Sequence, residues 1–324
     1  EQAFGVEGGT AFIQYLSVNP EQGGSLDSGD LQVYSNIEND RHLDVIFELW
    51  YEQVLLDGMI RFKIGKIDVN SEFAFVDVAG DFSNSSAGFS PTILAFPSYP
   101  DSAMSVNVFI TMIDSPSLEM TLGYGYYDGA SGVDDIRTGA RGPSSFFSTD
   151  GSDDSFHIAQ LDFGWGGSAD DEERTGRLMV GGWHHTGEFA RFDGGTDEGV
   201  WGAFLTVEQE VIGGDNGPSL TLFGQLGFSD EDVSEVSHHL AIGAVSSGFP
   251  WREDDSAGIY VTFAGLSDKP GAGFTDDEVA IDLYYRHQAT PAVFVQPELQ
   301  YIANPSGGGV DDALVGGLRV GVAF

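Results

Sequence analysis

The sequence predicts an all-β fold: a transmembrane antiparallel β-barrel formed as one domain over residues 1–324. Three observations carry this expectation. Segments of roughly eight to twelve residues alternate apolar and polar, as strands with two different faces do. Clusters of Gly, Asp, Asn, Ser and Pro separate them, and the connections alternate between short and long. Where the alternation is clean, charge keeps to one face, while aromatics gather near segment ends of the other, as in an interfacial girdle.

Fifteen candidate strands follow in order. The first two, 9–18 and 30–37, precede the hairpin 43–56/59–66. In 104–113, Met104, Val106, Val108, Ile110 and Met112 would face lipid, with Ser105, Asn107 and Thr111 inside. In 118–128, Leu118, Met120, Leu122, Tyr124 and Tyr126 repeat the greasy face opposite Glu119 and Thr121. Strands at 155–165, 175–185, 199–211, 218–228, 237–247 and 257–265 continue the series. In 278–288, Val279, Ile281, Leu283 and Tyr285 oppose Glu278, Asp282, Tyr284 and Arg286. In 292–302, Val293, Val295, Leu299 and Tyr301 oppose Gln296, Glu298 and Gln300. The last, 313–324, has Leu314, Leu318, Val320, Val322 and Phe324 on one face and Arg319 on the other. Long connections are expected at 67–103, 129–154, 186–198 and 266–277. Bacterial single-chain barrels have even strand counts. Fifteen therefore implies a strand ahead of Glu1, giving sixteen, or a count wrong by one.

The totals narrow the classes. No stretch comes near 18 consecutive apolar residues, so a transmembrane helix is not expected. The absence of Cys removes a disulfide framework and thiol chemistry. A net charge of -38 argues against nucleic acid, whose phosphates need basic patches. That acidity reads as solubility in salty surroundings, or as an acidic outer face that binds divalent cations weakly; no other cofactor or metal is expected. The chain begins without Met or a charged-then-apolar leader, which reads as a processed or trimmed sequence.

The hairpin is the most informative stretch. Asp57-Gly58 is a two-residue turn signal, because a type I′ turn needs positive φ at both central positions. It sets Glu52 opposite Lys63 and Val54 opposite Arg61. Period two then places Asp44, Glu48, Trp50, Glu52, Arg61 and Lys63 on one face, with Val45, Phe47, Leu49, Tyr51, Ile60, Phe62 and Ile64 on the other. Opposed acid and base columns on a lumen wall offer donors and acceptors that could replace the hydration of a sugar stepwise. The same columns also read as ordinary cross-strand ion pairs lining a wet pore. The long segment 67–103 carries Asp68, Asn70, Glu72, Asp77, Asp81, Asn84, Tyr99 and Asp101, and is the candidate for an inward loop narrowing the lumen.

At these residues the chain resembles the OprB-type carbohydrate-selective porins. The carrying segments are GDLQVYSNIEND (29–40), FELWYEQVLLDGMIRFKIGKIDVNSEFA (47–74), DFSNSSAGFSP (81–91), PSYPD (97–101), GFPWREDDSAG (248–258), TPAVFVQPELQYIANPSGGG (290–309) and ALVGGLRVGVAF (313–324). The resemblance implies a sixteen-stranded barrel of the bacterial outer membrane, surrounded by lipid and lipopolysaccharide, with inward loops and a charged pore that favours neutral sugars. Carried over, the pore-lining set is Glu52, Arg61, Lys63, Lys66, Asp68, Glu72 and Asp101, with Arg286, Glu298 and Arg319 opposite; the hairpin face adds Glu48 and Trp50. Two departures stand out. The N-terminal part is shorter than the family pattern, and only 13 Lys plus Arg are present where the family's sugar sites lean on arginines. A cation-favouring general porin is therefore the alternative cargo reading. A homotrimer is left open.

Other features lack the pattern their chemistry needs. His184-His185 and His238-His239 are adjacent on strands, so each pair points to opposite faces and cannot chelate together. The Asp-rich runs at 151–154, 170–173 and 230–232 lack the spacing of a calcium loop. No Gly-x-Ser-x-Gly elbow occurs. Three rivals to a passive channel remain: a barrel enzyme with His157 or His287 at a rim, an acidic structural surface barrel, and a soluble all-β binding protein. Detergent dependence and conductance separate them.

Overall fold

The computed structural model describes residues 6–19, 28–38, 42–115, 117–129, 154–167, 175–213 and 217–323. Among them lie fourteen strands: β1 Gly9–Val18, β2 Leu43–Leu55, β3 Ile60–Ile67, β4 Ala103–Ser115, β5 Leu118–Asp128, β6 Ser155–Trp165, β7 Gly176–Ala190, β8 Thr196–Ile212, β9 Ser219–Ser229, β10 Val236–Phe249, β11 Arg252–Leu266, β12 Glu278–Thr290, β13 Val293–Ala303 and β14 Ala313–Val322. They form one antiparallel sheet in sequence order, each strand bonded to the next. No described helix is long and apolar enough to cross a membrane, which says nothing against crossing by strands.

Three expectations need correction. The described strands number fourteen rather than fifteen, because 30–37 is not a strand. Gly29 and Val33 take positive φ there, and the segment's backbone is satisfied by lumen groups instead of a neighbouring strand. The N–H groups of Leu31 and Gln32 donate to the Glu278 carboxylate at 2.8 and 2.9 Å, and Asn36 N–H donates to Ser83 O at 2.6 Å. Second, β7 runs to Ala190 and β8 begins at Thr196, so the expected long connection 186–198 shrinks to 191–195. Third, the phase of β2 breaks: Gln14 pairs with Glu48 but Tyr15 with Ile46, so Phe47 is an extra residue. Phe47 and Glu48 are both buried, while Asp44 swings outward to accept a bond from Tyr15 Oη at 2.7 Å.

Further register shifts lie toward strand ends, as at Thr111/Ile113 and His185/Glu188, and between them the alternation decides what the sheet surrounds. The segment between β3 and β4 lies against one face of the sheet and is tied to strands all along the sheet order. Glu48 of β2 accepts from Asp68 N–H (3.1 Å), Gln160 of β6 from Ala74 N–H (3.1 Å), and Glu208 of β8 from Asp77 and Val78 N–H (3.1 and 3.0 Å). Gln225 of β9 donates to Ser86 and Ala87 carbonyls, Tyr260 of β11 to Asn84 Oδ1 (2.6 Å), and Gln296 of β13 to Asp81 O (2.6 Å). A single segment can touch β2, β6, β9 and β13 from one face only if the sheet curls around it. That curled geometry defines a lumen.

The apolar packing fits this arrangement. Phe73, Val69 and Ile67 pack with Phe109, Tyr127, Phe156, Trp183 and Phe204, all buried, while Phe82 packs among Phe223, Tyr260 and Tyr284. Each fully buried ring contributes roughly 1.5–3 kcal/mol relative to exposure. Outside, large apolar side chains stand in the open: Ile242 is 66% exposed, Leu283 47% and Leu318 69%. An apolar surface spread over successive strands is what acyl chains cover.

Candidate functional site

The site begins with a turn. Leu56, Asp57 and Gly58 all take positive φ, 54°, 53° and 94°, Met59 N–H donates to Leu56 O at 3.2 Å, and the ladder closes at Leu55 and Ile60. The register follows: Glu52 pairs with Lys63 and Val54 with Arg61. Trp50, Glu52, Arg61 and Lys63 therefore share the lumen face with Glu48.

The inward segment completes the cluster. Asp68 caps a short 3-10 turn, Val69–Ser71, by accepting from Asn70 N–H at 2.9 Å, and the turn delivers Glu72 to the wall. Glu72, whose side chain is 4% exposed, accepts from Arg61 Nη1 at 2.8 Å and from Lys63 Nζ. Arg61 Nη1 also meets Glu52 at 2.9 Å. Lys63 Nζ lies 3.7 Å from the centre of the Trp50 ring, which stacks on Phe12 at 5.0 Å. Arg61 lies 3.8 Å above Phe109. Lys63 and Glu72 are both buried, so removing one of that pair is costly, because an uncompensated buried charge remains. Burial pushes the Asp68 carboxyl up to about 6, and the nearby charges of Glu48 and Glu72 add to the rise.

The expected residues do not all meet. Glu48, Trp50, Glu52, Arg61, Lys63, Asp68 and Glu72 converge on the β2–β3 wall and the start of the inward segment. Arg286, Glu298 and Arg319 occupy the β12–β14 sector, where Arg286 meets Asp81, Glu298 accepts from Ser83, and Arg319 donates to Asn36 Oδ1 at 2.9 Å. Lys66 is corrected. It pairs with Leu49 and Met104 on the outward face and donates to Ile46 O at 3.0 Å, because three steps from Lys63 reverse the face. Asp101 sits within electrostatic reach of Lys66, away from the Arg61 cluster.

Sequence reasoning missed a second cluster across the same cavity. Arg177 of β7 holds Asp162 of β6 through Nε at 3.0 Å and Asp77 through Nη1 at 2.7 Å, with Phe75 beneath it at 4.3 Å. Alternation along 155–165 and 175–185 carried part of this signal, but the pairing to residues 75 and 77 is a tertiary fact. A cavity of about 370 Å³ joins the clusters, lined by Arg61, Glu72, Phe75, Phe109, Asp162 and Arg177 among others. Such a wall can donate and accept hydrogen bonds around a polar solute without offering a bare charge. Among the described residues no group of three or more metal-ligating side chains converges. His185 and His239 are buried on the lumen side, whereas their neighbours His184 and His238 face outward.

Comparison with known proteins agrees with this geometry. A curated relative, Porin B of Pseudomonas aeruginosa, is 28% identical over 154 residues, 40% of this chain and 33% of its own length. The match thus spans about a third of that relative. The high-pH structure of Pseudomonas putida OprB superposes with a TM-score of 0.73 at 20% identity, covering 91% of this chain and 77% of that one. The low-pH structure of the same protein gives 0.52 at 18% identity, covering 87% and 68%. At such identities the likeness is one of fold. The family model described as "Carbohydrate-selective porin, OprB family" matches residues 2–324. With that match on top of the inward segment and charged lumen, the chain belongs to the OprB family of carbohydrate-selective porins, proteins of the bacterial outer membrane.

Proposed function

We propose that the chain is a passive channel for small hydrophilic solutes, with neutral sugars as the preferred cargo, and that it catalyses nothing. The observation that carries this reading is the segment 68–102 laid across the lumen beside a cavity of about 370 Å³ with ion-paired walls. Charges that are already paired keep their hydrogen-bonding directions but do not trap ions, so a polyol exchanges water for wall groups as it moves. The pore-lining set in this reading is Glu48, Trp50, Glu52, Arg61, Lys63, Asp68 and Glu72, joined by Asp162 and Arg177, with Arg286, Glu298 and Arg319 farther round. Outer-membrane lipid and lipopolysaccharide surround the barrel, and a homotrimer is the assembly to be tested by cross-linking.

Liposome swelling tests the cargo directly. Vesicles carrying the protein should swell in isotonic D-glucose faster than protein-free vesicles. Equal rates would remove the reading. A second reading, a cation-favouring channel, draws on three carboxylates, Glu72, Glu119 and Asp162, against two arginines, Arg61 and Arg177, among the residues lining the cavity. A reversal potential of the potassium sign in a KCl gradient would support it.

A further inference from the structure

Resting on the channel reading above, we propose that Phe75 and Phe109 are positioning residues for solute recognition, each holding one arginine over its ring at the edge of the shared cavity. Four lumen cations lie over aromatic rings: Arg61 over Phe109 at 3.8 Å, Lys63 over Trp50 at 3.7 Å, Arg177 over Phe75 at 4.3 Å and Arg286 over Phe294 at 3.7 Å. Long cationic side chains normally keep large rotamer freedom. Here that freedom is reduced twice, by a ring beneath the cation and by a carboxylate paired with it.

The construction is clearest at the two arginines. Arg61 is ion-paired with Glu52 and Glu72 and lies over Phe109, which itself stacks on Phe73 at 5.2 Å. Arg177 is ion-paired with Asp162 and Asp77 and lies over Phe75. One stretch, 72–77, supplies Glu72 and Phe73 to the first arginine and Phe75 and Asp77 to the second. Between them Ala74 N–H is pinned to Gln160. On β5 the position beside these rings is Gly123, where a Cβ would come within 2.8 Å of Phe109 and 3.0 Å of Phe73, so the wall leaves room for the stack. The charges would exist without the rings. What the rings add is direction, and direction matters most for a neutral polyol, which no net charge draws in.

Planar-bilayer recordings with D-glucose as blocker separate direction from charge. In Phe75→Leu and Phe109→Leu the reversal potential in a potassium chloride gradient should keep its sign and size, because every lumen charge remains. Glucose block should weaken roughly two- to fivefold, the loss of one partly exposed cation–ring contact. Phe75→Tyr, which keeps the ring, should block like the unmodified protein. Phe75 is half-buried, so its variant decides the question even if Phe109→Leu fails to fold. Unchanged block in Phe75→Leu overturns the inference alone. So does a change of reversal potential in step with block, which would mark a structural role. A current in the unmodified protein that glucose leaves unblocked overturns the inference, whereas no current at all overturns the channel reading and the inference with it.

Discussion

Two acidic residues at the β2–β3 wall show how environment divides similar groups. Glu72 has two cations within ion-pair distance, so Glu72→Gln should leave Arg61 and Lys63 sharing Glu52 alone and shift permeability toward anions. The reversal potential in a KCl gradient checks the sign; a potential unmoved by the change would place the cluster outside the ion path. Asp68 has no such cations, and burial raises it to about 6. Its folded form binds a proton more tightly than the unfolded chain does. Stability is therefore lost as pH rises from about 4 through about 6, and Asp68→Asn should recover it above that window. The gain at pH 7 should be on the order of 2 kcal/mol and should vanish near pH 4. Thermal unfolding in detergent at both pH values measures it. Asn retains the side-chain oxygen that caps Asn70 N–H, so the turn itself survives.

At the scale of elements, the alternation of apolar and polar residues settled most strands, and the turn at Asp57-Gly58 fixed a whole register. The readings that failed did so where tertiary partners overrode a local pattern. Segment 30–37 alternates like a strand, yet Glu278 and Ser83 take its backbone groups. Phe47 is an inserted residue whose effect on phase no pattern of period two can announce. Lys66 enters the pore-lining set only through likeness to a family pattern, whereas counting from Lys63 turns it outward. Strand faces also yield a direct test. Leu283 stands on the lipid side of β12, 47% exposed, and pairs with Ile259 and Leu299. Leu283→Arg should cost roughly 2–4 kcal/mol if the position lies near the bilayer midplane. Reversible unfolding from phospholipid vesicles would measure it, and a neutral result would invert the assignment of faces.

Across the described residues, chemistry is sorted by radius: aliphatic side chains stand outside, while ion-paired and amide side chains lie inside with the aromatic packing around the inward segment. The sorting was legible because it follows strand period. How the lumen is filled was legible only as a long acidic segment of unusual length, since the strands that hold it, from Glu48 to Gln296, are scattered over the sequence. A net charge of -38 on 324 residues adds a global prediction. Cation preference in the channel should fall as salt rises, because screening shortens the reach of exposed carboxylates to about 10 Å at 0.1 M. Reversal potentials at a fixed KCl ratio but increasing absolute concentration would follow it.

The most direct test compares single-channel conductance of the unmodified protein with that of a variant lacking residues 74–95, the middle of the inward segment. If that segment fills the lumen and leaves a narrow path, its removal should raise conductance several-fold while the barrel stays folded. A folded variant that conducts no better would contradict the account at its root.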